Sequence, residues 1–169
     1  MSGHQRLRHT HQRHEEVMSA LALALTDLSS NTPLPSSWPA VLEAQAYFTR
    51  SVPRHFADEE SSWLPRLVAK QPSAKAAARG LTQQHRRLQQ LMAAFSTIVD
   101  ASEGDPERLD LDQAHKAAIA IDEAYRSHLD IEEPLIAQST RLLGKADDDA
   151  MASEMIGRRG SGGGGGGGG

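Results

Sequence analysis

Apolar residues recur at the spacing of an α-helix in four long stretches of this sequence. The stretches cover about residues 9–28, 38–70, 73–100 and 110–142, and segments rich in proline, glycine or serine separate them. Positions three, four and seven apart share one face of a helix, so each stretch predicts an amphipathic helix. No segment alternates between apolar and polar residues as a strand would. Four helices with short connections predict an all-α, up-down-up-down four-helix bundle.

Three local signals refine this prediction. Pro53 lies inside the second stretch and predicts a kink there, because proline disrupts the helical hydrogen-bond ladder. Asp110 and Gln113 have the spacing of a capping box, which predicts the start of the fourth helix. We expect a short fifth helix over about residues 146–156, packed on the outside of the bundle.

Length and composition favour a single domain. Of the 169 residues, we expect 1–160 to form the bundle, whereas 161–169 contain eight consecutive glycines and indicate a flexible linker or tail. The net charge is −4 with acids and bases interspersed, which argues against a nucleic-acid partner. The sequence has no cysteine, so thiolate metal sites and disulfides are excluded.

Nothing in the sequence predicts a membrane partner. The longest apolar run, Met18 to Leu25, is too short to cross a bilayer. The N-terminus is polar and lacks the apolar segment of a secretory signal. We therefore expect a soluble, cytoplasmic protein.

The strongest chemical signal is the hexapeptide His-x-x-x-Glu-Glu, which occurs at residues 55–60 and again at residues 128–133. The histidine and the first glutamate are four positions apart, so they share a helix face and offer an imidazole and a carboxylate to one point. This donor set suits iron, manganese or zinc, and it does not suit calcium. A single copy is usually a surface ion pair, but two identical copies favour a metal site.

The other two helices each carry a histidine on their apolar face. His85 lies between Leu81 and Leu88, and Val17 follows His14 after three positions. Facing inward, these two histidines would meet the hexapeptides in the bundle core. Four imidazoles and two carboxylates exceed the needs of one tetrahedral ion and suit two bridged ions. The predicted ligands are His14, His55, Glu59, His85, His128 and Glu132.

The remaining histidines are interpreted differently. His11 is three residues before His14 and about 60° away around the helix, so it stays an alternative to His14. His115 is about 220° from His128 and is expected to face solvent. His4 and His9 belong to a basic N-terminal arm that we expect to be mostly solvated.

These motifs resemble the hemerythrin family, also called the HHE cation-binding domain, over about residues 9–143. The resemblance rests on His14 with Val17, His55-Phe-x-x-Glu59-Glu60 before Trp63-Leu64-Pro65, Gln84-His85-x-x-Leu88, and His128-x-x-x-Glu132-Glu133. In that family, histidines ligate two irons that carboxylates and an oxo or hydroxo group bridge. The resemblance implies His14, His55, His85 and His128 as terminal ligands, Glu59 and Glu132 as bridges, and iron in preference to manganese or zinc.

Two points of the family pattern leave alternatives open. Some members place the last carboxylate five residues after its histidine, which would make Glu133 the bridge. Oxygen-carrying members have another histidine where this sequence has Leu81. The resemblance then implies an open metal position, or one filled by Glu60, Glu133 or Tyr125.

The resemblance implies two classes of function. The first is a module that binds or senses dioxygen, nitric oxide or iron. The second is an enzyme that decomposes peroxide or reduces nitric oxide. In both classes the partner is a small molecule, and Tyr125, three residues before His128 on the same face, would lie near the irons.

Overall fold

A computed structural model describes residues 1–160, and it contains five helices. The helices are α1 (Gly3–Leu28), α2 (residues 37–70), α3 (Lys75–Asp100), α4 (Leu111–Leu142) and α5 (Lys145–Gly160). Helix α1 packs against α2, α2 against α3 and α3 against α4, and α4 closes the bundle against α1. The predicted up-down-up-down bundle is therefore confirmed. The prediction for residues 161–169 lies outside the described residues.

Residues 1–160 contain no strand, as the sequence predicted. Within the same residues, every helix is too short or too polar to traverse a lipid bilayer.

Helix α2 is interrupted by two wider, π-helical turns. It consists of the α-helical segments Ser37–Ala46, Val52–Asp58 and Leu64–Lys70, joined by the π-helical turns Tyr47–Ser51 and Glu59–Trp63. A backbone hydrogen bond closes each turn, from the Val52 N–H to the Tyr47 carbonyl and from the Leu64 N–H to the Glu59 carbonyl. The residue directly after each donor is a proline. Since proline has no N–H and its ring collides with the carbonyl four residues back, the wider turn accommodates it. The irregularity predicted at Pro53 is therefore a π-helical turn that precedes it.

Helix α1 begins earlier than the sequence predicted. The Ser2 side chain accepts a hydrogen bond from the Gln5 N–H at 3.3 Å, and the Gln5 side chain accepts one from the Ser2 N–H at 2.8 Å. This capping box starts the helix at Gly3. His4 is buried and its Nδ1 lies 2.8 Å from Asp148 of α5. The expectation of a solvated arm was therefore wrong for His4.

The connection between α3 and α4 needs a left-handed backbone. Glu103 has φ +54° and Gly104 has φ +84°. Glycine adopts this conformation without the steric penalty of a Cβ atom. The Asp110 side chain then accepts a hydrogen bond from the Gln113 N–H at 3.0 Å, which confirms the predicted start of α4.

The apolar core is divided into two clusters by a layer of buried polar side chains. The first cluster includes Leu21, Val41, Phe95 and Ile121, and the second includes Leu7, Trp63, Leu81, Ile136 and Met151. Along α3, His85 lies between Leu81 of the second cluster and Leu88 of the first. The layer therefore lies within the bundle, closed at both ends by apolar side chains.

Helix α5 packs on the outside of the bundle, as predicted, against α1 and α2. Met151 and Met155 bury the apolar face of α5. The buried Asp58 of α2 pairs with Arg158 at 2.7 Å and with Arg159 at 2.8 Å. Apolar contact and ion pairing thus hold α5 beside the helix that carries the first hexapeptide.

Candidate metal centre

The first group of potential ligands combines three helices. His11 of α1, His55 and Glu59 of α2, and Glu132 of α4 each present a ligand atom, and these atoms all lie within 4.8 Å of one another. All four side chains are buried. The rings of His11 and His55 meet edge to face with centroids 5.4 Å apart. Two imidazoles and two carboxylates could therefore hold one ion.

The second group lies beside the first. Glu59, His85 of α3 and His128 of α4 present ligand atoms within 4.8 Å of one another, and all three are buried. The rings of His85 and His128 have centroids 4.9 Å apart. Glu132 Oε2 is 2.9 Å from His128 Nε2, so the second carboxylate also approaches this group.

Glu59 belongs to both groups through different oxygens. Its Oε1 is 2.6 Å from His55 Nε2, and its Oε2 is 2.8 Å from His85 Nε2. Glu132 approaches both groups through a single oxygen, because the Oε2 atom near His128 also lies 3.1 Å from His11 Nε2 in the first group. Both carboxylates therefore lie between two pairs of histidines.

The converging atoms have no hydrogen bonds to other described residues, although they are close together. The unsatisfied buried atoms include Nε2 of His11, His55, His85 and His128, and both oxygens of Glu59 and Glu132. Leaving buried polar atoms unpaired costs about 1–3 kcal/mol each, and more when they are charged. Since metal ions held by the two groups would satisfy these atoms, this donor set fits cations bound by nitrogen and oxygen.

Two outer carboxylates orient the histidines that they face. Glu60 accepts a hydrogen bond from His85 Nδ1 at 2.7 Å, and Glu133 accepts one from His11 Nδ1 at 2.7 Å. A histidine that donates from one nitrogen presents the other nitrogen to a metal. These contacts therefore direct the Nε2 atoms of His85 and His11 toward the centre.

The carboxylates and imidazoles of the metal-free centre shift one another's pKa values. Burial opposes ionisation of Glu59, but His55 and His85 outweigh it and hold the pKa of Glu59 well below its usual value. Burial also opposes protonation of His11, but Glu132 and Glu133 outweigh it and raise the pKa of His11 to about 9. Glu59 and Glu60 raise the pKa of His85 in the same way, against the effect of burial. In the absence of metal, protons can compensate the buried carboxylates.

His14 is not a member of either group. Its side chain is 2% exposed, and its ring stacks on Tyr125 with centroids 3.4 Å apart. Burial, followed by the charges of His55, His11 and His128, lowers the pKa of His14 to about 3. The structure thus brings together five of the six predicted ligands and places His11, the alternative, where His14 was expected.

The other open alternatives can be compared with this geometry. Glu132 is fully buried among the ligand atoms, whereas Glu133 is half-exposed and faces the outer nitrogen of His11. Leu81 is buried in the second apolar cluster. Glu60 occupies the outer nitrogen of His85, whereas the hydroxyl of Tyr125 is buried and has no hydrogen-bond partner among the described residues. Glu60, Glu133 and Tyr125 were the candidates for the metal position that Leu81 leaves open, and of these Tyr125 alone lacks a partner among the described residues.

The sequence did not predict two side-chain contacts near the centre. Gln84 accepts a hydrogen bond from His128 Nδ1 at 3.2 Å, and its position directly before His85 gave no indication of that contact. Tyr47 is buried with an unpartnered hydroxyl and lies 5.8 Å from His14 between ring centroids. His115, expected to face solvent, is half-buried and lies outside both groups.

Comparison with known proteins agrees with this geometry. The family described as hemerythrin HHE cation binding domain matches residues 2–155. The chain belongs to the hemerythrin family. This membership accounts for a bundle that encloses buried groups of histidine and glutamate able to hold a metal.

A relative from Haemophilus influenzae, described only as an uncharacterized protein, is 30% identical to this hemerythrin-family chain over 114 residues. The match covers 68% of this chain and 64% of that protein, so the chain spans less than two thirds of the relative's length.

Proposed function

We propose that this hemerythrin-family domain binds two iron ions and uses them to bind or sense dioxygen or nitric oxide. The observation that carries the proposal is Glu59, whose two oxygens face histidines of different groups at 2.6 and 2.8 Å. In the proposal, His11 and His55 would hold one ion, His85 and His128 would hold the other, and Glu59 and Glu132 would serve both. Bound iron would supply reversible electron transfer to a small ligand.

The charge of the donor set supports binding over iron storage. Four neutral imidazoles and two carboxylates carry about −2, whereas ferritin-like di-iron sites use four carboxylates. Less negative charge stabilises ferric iron less, so this centre should stay ferrous longer. A midpoint potential below that of a four-carboxylate centre would contradict this argument.

The protein's own residues would control the ligand's surroundings. Glu60 and Glu133 hold the imidazoles of His85 and His11 in one orientation. Apolar clusters at both ends limit the access of water. Burial raises the pKa of Tyr125 well above its usual value, so its unpartnered hydroxyl keeps its proton and can donate it to a hydrogen bond.

The alternative is an enzyme that decomposes peroxide or reduces nitric oxide. The same Tyr125 favours it, because a buried phenol 5.8 Å from the His128 ring, between centroids, could exchange a proton or an electron with the centre. Cycles of oxygenation and deoxygenation distinguish the two functions. A reversible optical change supports binding, whereas gas evolution on addition of peroxide supports catalysis.

The test is metal quantification with an optical spectrum of aerobically purified protein. We expect two irons per chain and the charge-transfer absorption of bridged ferric ions. His85→Ala should lose metal because it removes a predicted ligand, and His115→Ala should retain it because His115 lies outside both groups. Equal iron content in the two variants would remove His85 from the centre, and wild-type protein without metal would refute the proposal.

A further inference from the structure

A cleft lined by polar side chains lies at the surface beside the candidate metal centre. Residues of α1, α2 and α5 enclose a cleft of about 480 Å³, and His55 forms part of its lining. His55 also belongs to the first group of ligands. The cleft therefore extends from solvent to a side chain of the centre.

The cleft is basic although the chain as a whole is acidic. Its lining includes Arg13, Arg50, Arg54 and Arg159, and Glu43 is the one acidic residue among the described residues that line it. Arg13 pairs with Glu43, and Arg159 pairs with the buried Asp58. Arg50 and Arg54 are exposed and form no ion pair with any residue in 1–160. Two uncompensated positive charges thus lie four positions apart at the cleft.

A buried donor also lines the cleft. Tyr47 is 7% exposed, and its hydroxyl has no hydrogen-bond partner within the described part of the chain. Burial raises the pKa of Tyr47, so the phenol remains protonated and can donate. A buried donor without a partner and two guanidinium groups without ion pairs within residues 1–160 line the same cleft, which is a combination that suits an anion.

The groove on another face of α1 has the opposite character. It lies between α1 and α4, has a volume of about 650 Å³, and is lined by Glu15, Asp122 and Glu123, with Arg126 as its only Lys or Arg among the described lining residues. His14 and Tyr125 also line it. These two openings therefore differ in charge, and of the two the arginine-lined cleft is the one that would attract anions.

We propose that the cleft between α1 and α2 binds a compact monovalent inorganic anion through Arg50, Arg54 and the Tyr47 hydroxyl, and delivers it to the ion held by His11 and His55. The binding step depends on the cleft alone. The delivery step rests on the proposed function, because it requires a bound metal. Positive charge in a cleft focuses the field and raises association rates of oppositely charged ligands by about 10- to 1000-fold.

The first experiment uses metal-free protein and chloride as the probe. Bound chloride broadens the ³⁵Cl magnetic resonance line, and we expect broadening by the wild type that is lost in the double variant Arg50→Gln with Arg54→Gln. The control, Arg87→Gln with Arg141→Gln, removes the same net charge from exposed sites outside the cleft and should keep the broadening. Equal broadening by the two double variants would overturn the anion site.

A third variant tests the buried donor. Tyr47→Phe keeps the ring and removes the hydroxyl, so chloride affinity should fall about three- to tenfold, the range expected for one lost hydrogen bond. Circular dichroism establishes that each variant is folded. Unchanged affinity in folded Tyr47→Phe would remove Tyr47 from the site.

The second experiment uses iron-loaded protein and azide, followed optically. The Arg50 and Arg54 double variant should bind azide about tenfold more slowly with a weaker dependence on ionic strength, and the control pair should stay within about twofold of wild type. Neutral nitric oxide should bind ferrous wild type and both variants at equal rates. Equal azide rates in all three proteins would overturn delivery through the cleft. Absence of bound iron would refute the proposed function, and the chloride experiment would still decide the anion site.

Discussion

His11 and His14 are one helical turn apart on α1, yet their environments favour opposite protonation states. Against the effect of burial, Glu132 and Glu133 raise the pKa of His11 to about 9. Burial and neighbouring histidines lower the pKa of His14 to about 3. The side chain that faces carboxylates can exchange its proton for a metal, whereas the one that stacks on Tyr125 remains a neutral aromatic ring.

Substitution of these two histidines distinguishes their roles. His11→Ala should lower the iron content to one ion per chain or fewer, because it removes a nitrogen from the first group. His14→Phe preserves the stacking on Tyr125 and should retain two ions. Metal quantification after dialysis measures both. Loss of iron from His14→Phe with retention in His11→Ala would restore the original prediction of His14 as the ligand.

The low pKa of His14 also predicts a pH dependence of stability. The unfolded chain binds a proton at His14 near pH 6.5, whereas the folded chain resists protonation down to about pH 3. The favourable contribution is therefore complete above pH 6.5 and is lost as the pH falls. Metal-free wild type should lose about 1.4 kcal/mol of unfolding free energy per pH unit relative to His14→Phe over that range. Urea titrations at pH 7 and pH 5 check this, and parallel behaviour would contradict it.

At the scale of elements, the packing of α5 on the bundle depends on ion pairs that neutralise the buried carboxylate of Asp58. Asp58 is 2% exposed and pairs with Arg158 and Arg159. Apolar contacts of Met151 and Met155 accompany these pairs. The attachment of α5 therefore combines a hydrophobic contact with ion pairs, and the buried carboxylate needs its arginine partners because an unpaired buried charge is costly.

Removing both arginines tests this dependence. Arg158→Gln with Arg159→Gln leaves Asp58 buried and unpaired, which should lower the free energy of unfolding by about 3 kcal/mol. Adding Asp58→Asn should recover most of that loss, because the uncompensated charge is gone. Urea denaturation of the double and triple variants measures the difference. Equal stability of the double variant and the wild type would mean that solvent compensates Asp58.

The sequence predicted which segments form helices better than it predicted where the helices begin and which histidine of α1 faces the metal centre. Apolar periodicity located α1 to α4, and Asp110 marked the start of α4. The start of α1 was missed although Ser2 and Gln5 have capping-box spacing, and Leu7, four residues before His11, would have favoured His11. Contacts such as those of α5 with Asp58 join residues 100 positions apart, so no local pattern could predict them.

At the scale of the whole molecule, a polar layer separates two apolar clusters. Its carboxylates need a counter-charge, which either protons or metal ions can supply. Protonated His11 stabilises the metal-free fold below about pH 6.5, and this contribution is lost as the pH rises through about 9. Metal ions compete with those protons, so the affinity for metal should rise over the same interval.

This competition predicts opposite pH trends for the two forms. Between pH 6.5 and 9, metal-free protein should lose up to about 3 kcal/mol relative to His11→Gln, the equivalent of a pKa shift from 6.5 to about 9. The stabilisation by bound iron should grow over the same range. Urea titrations with a chelator and with iron measure both trends. A metal-free wild type that parallels His11→Gln across this range would contradict the prediction.

The paired glutamates of the two hexapeptides have a consequence for assembly. Glu59 and Glu60 belong to the α1–α2 hairpin but contact His85 of α3, and Glu132 and Glu133 belong to the α3–α4 hairpin but contact His11 of α1. Each hairpin therefore completes the other's half of the centre, and neither half is whole by itself. Refolding in the presence of metal can be followed by the absorption of the bound metal. The rate at which that absorption appears would report the docking of one hairpin onto the other, and not the formation of any single helix.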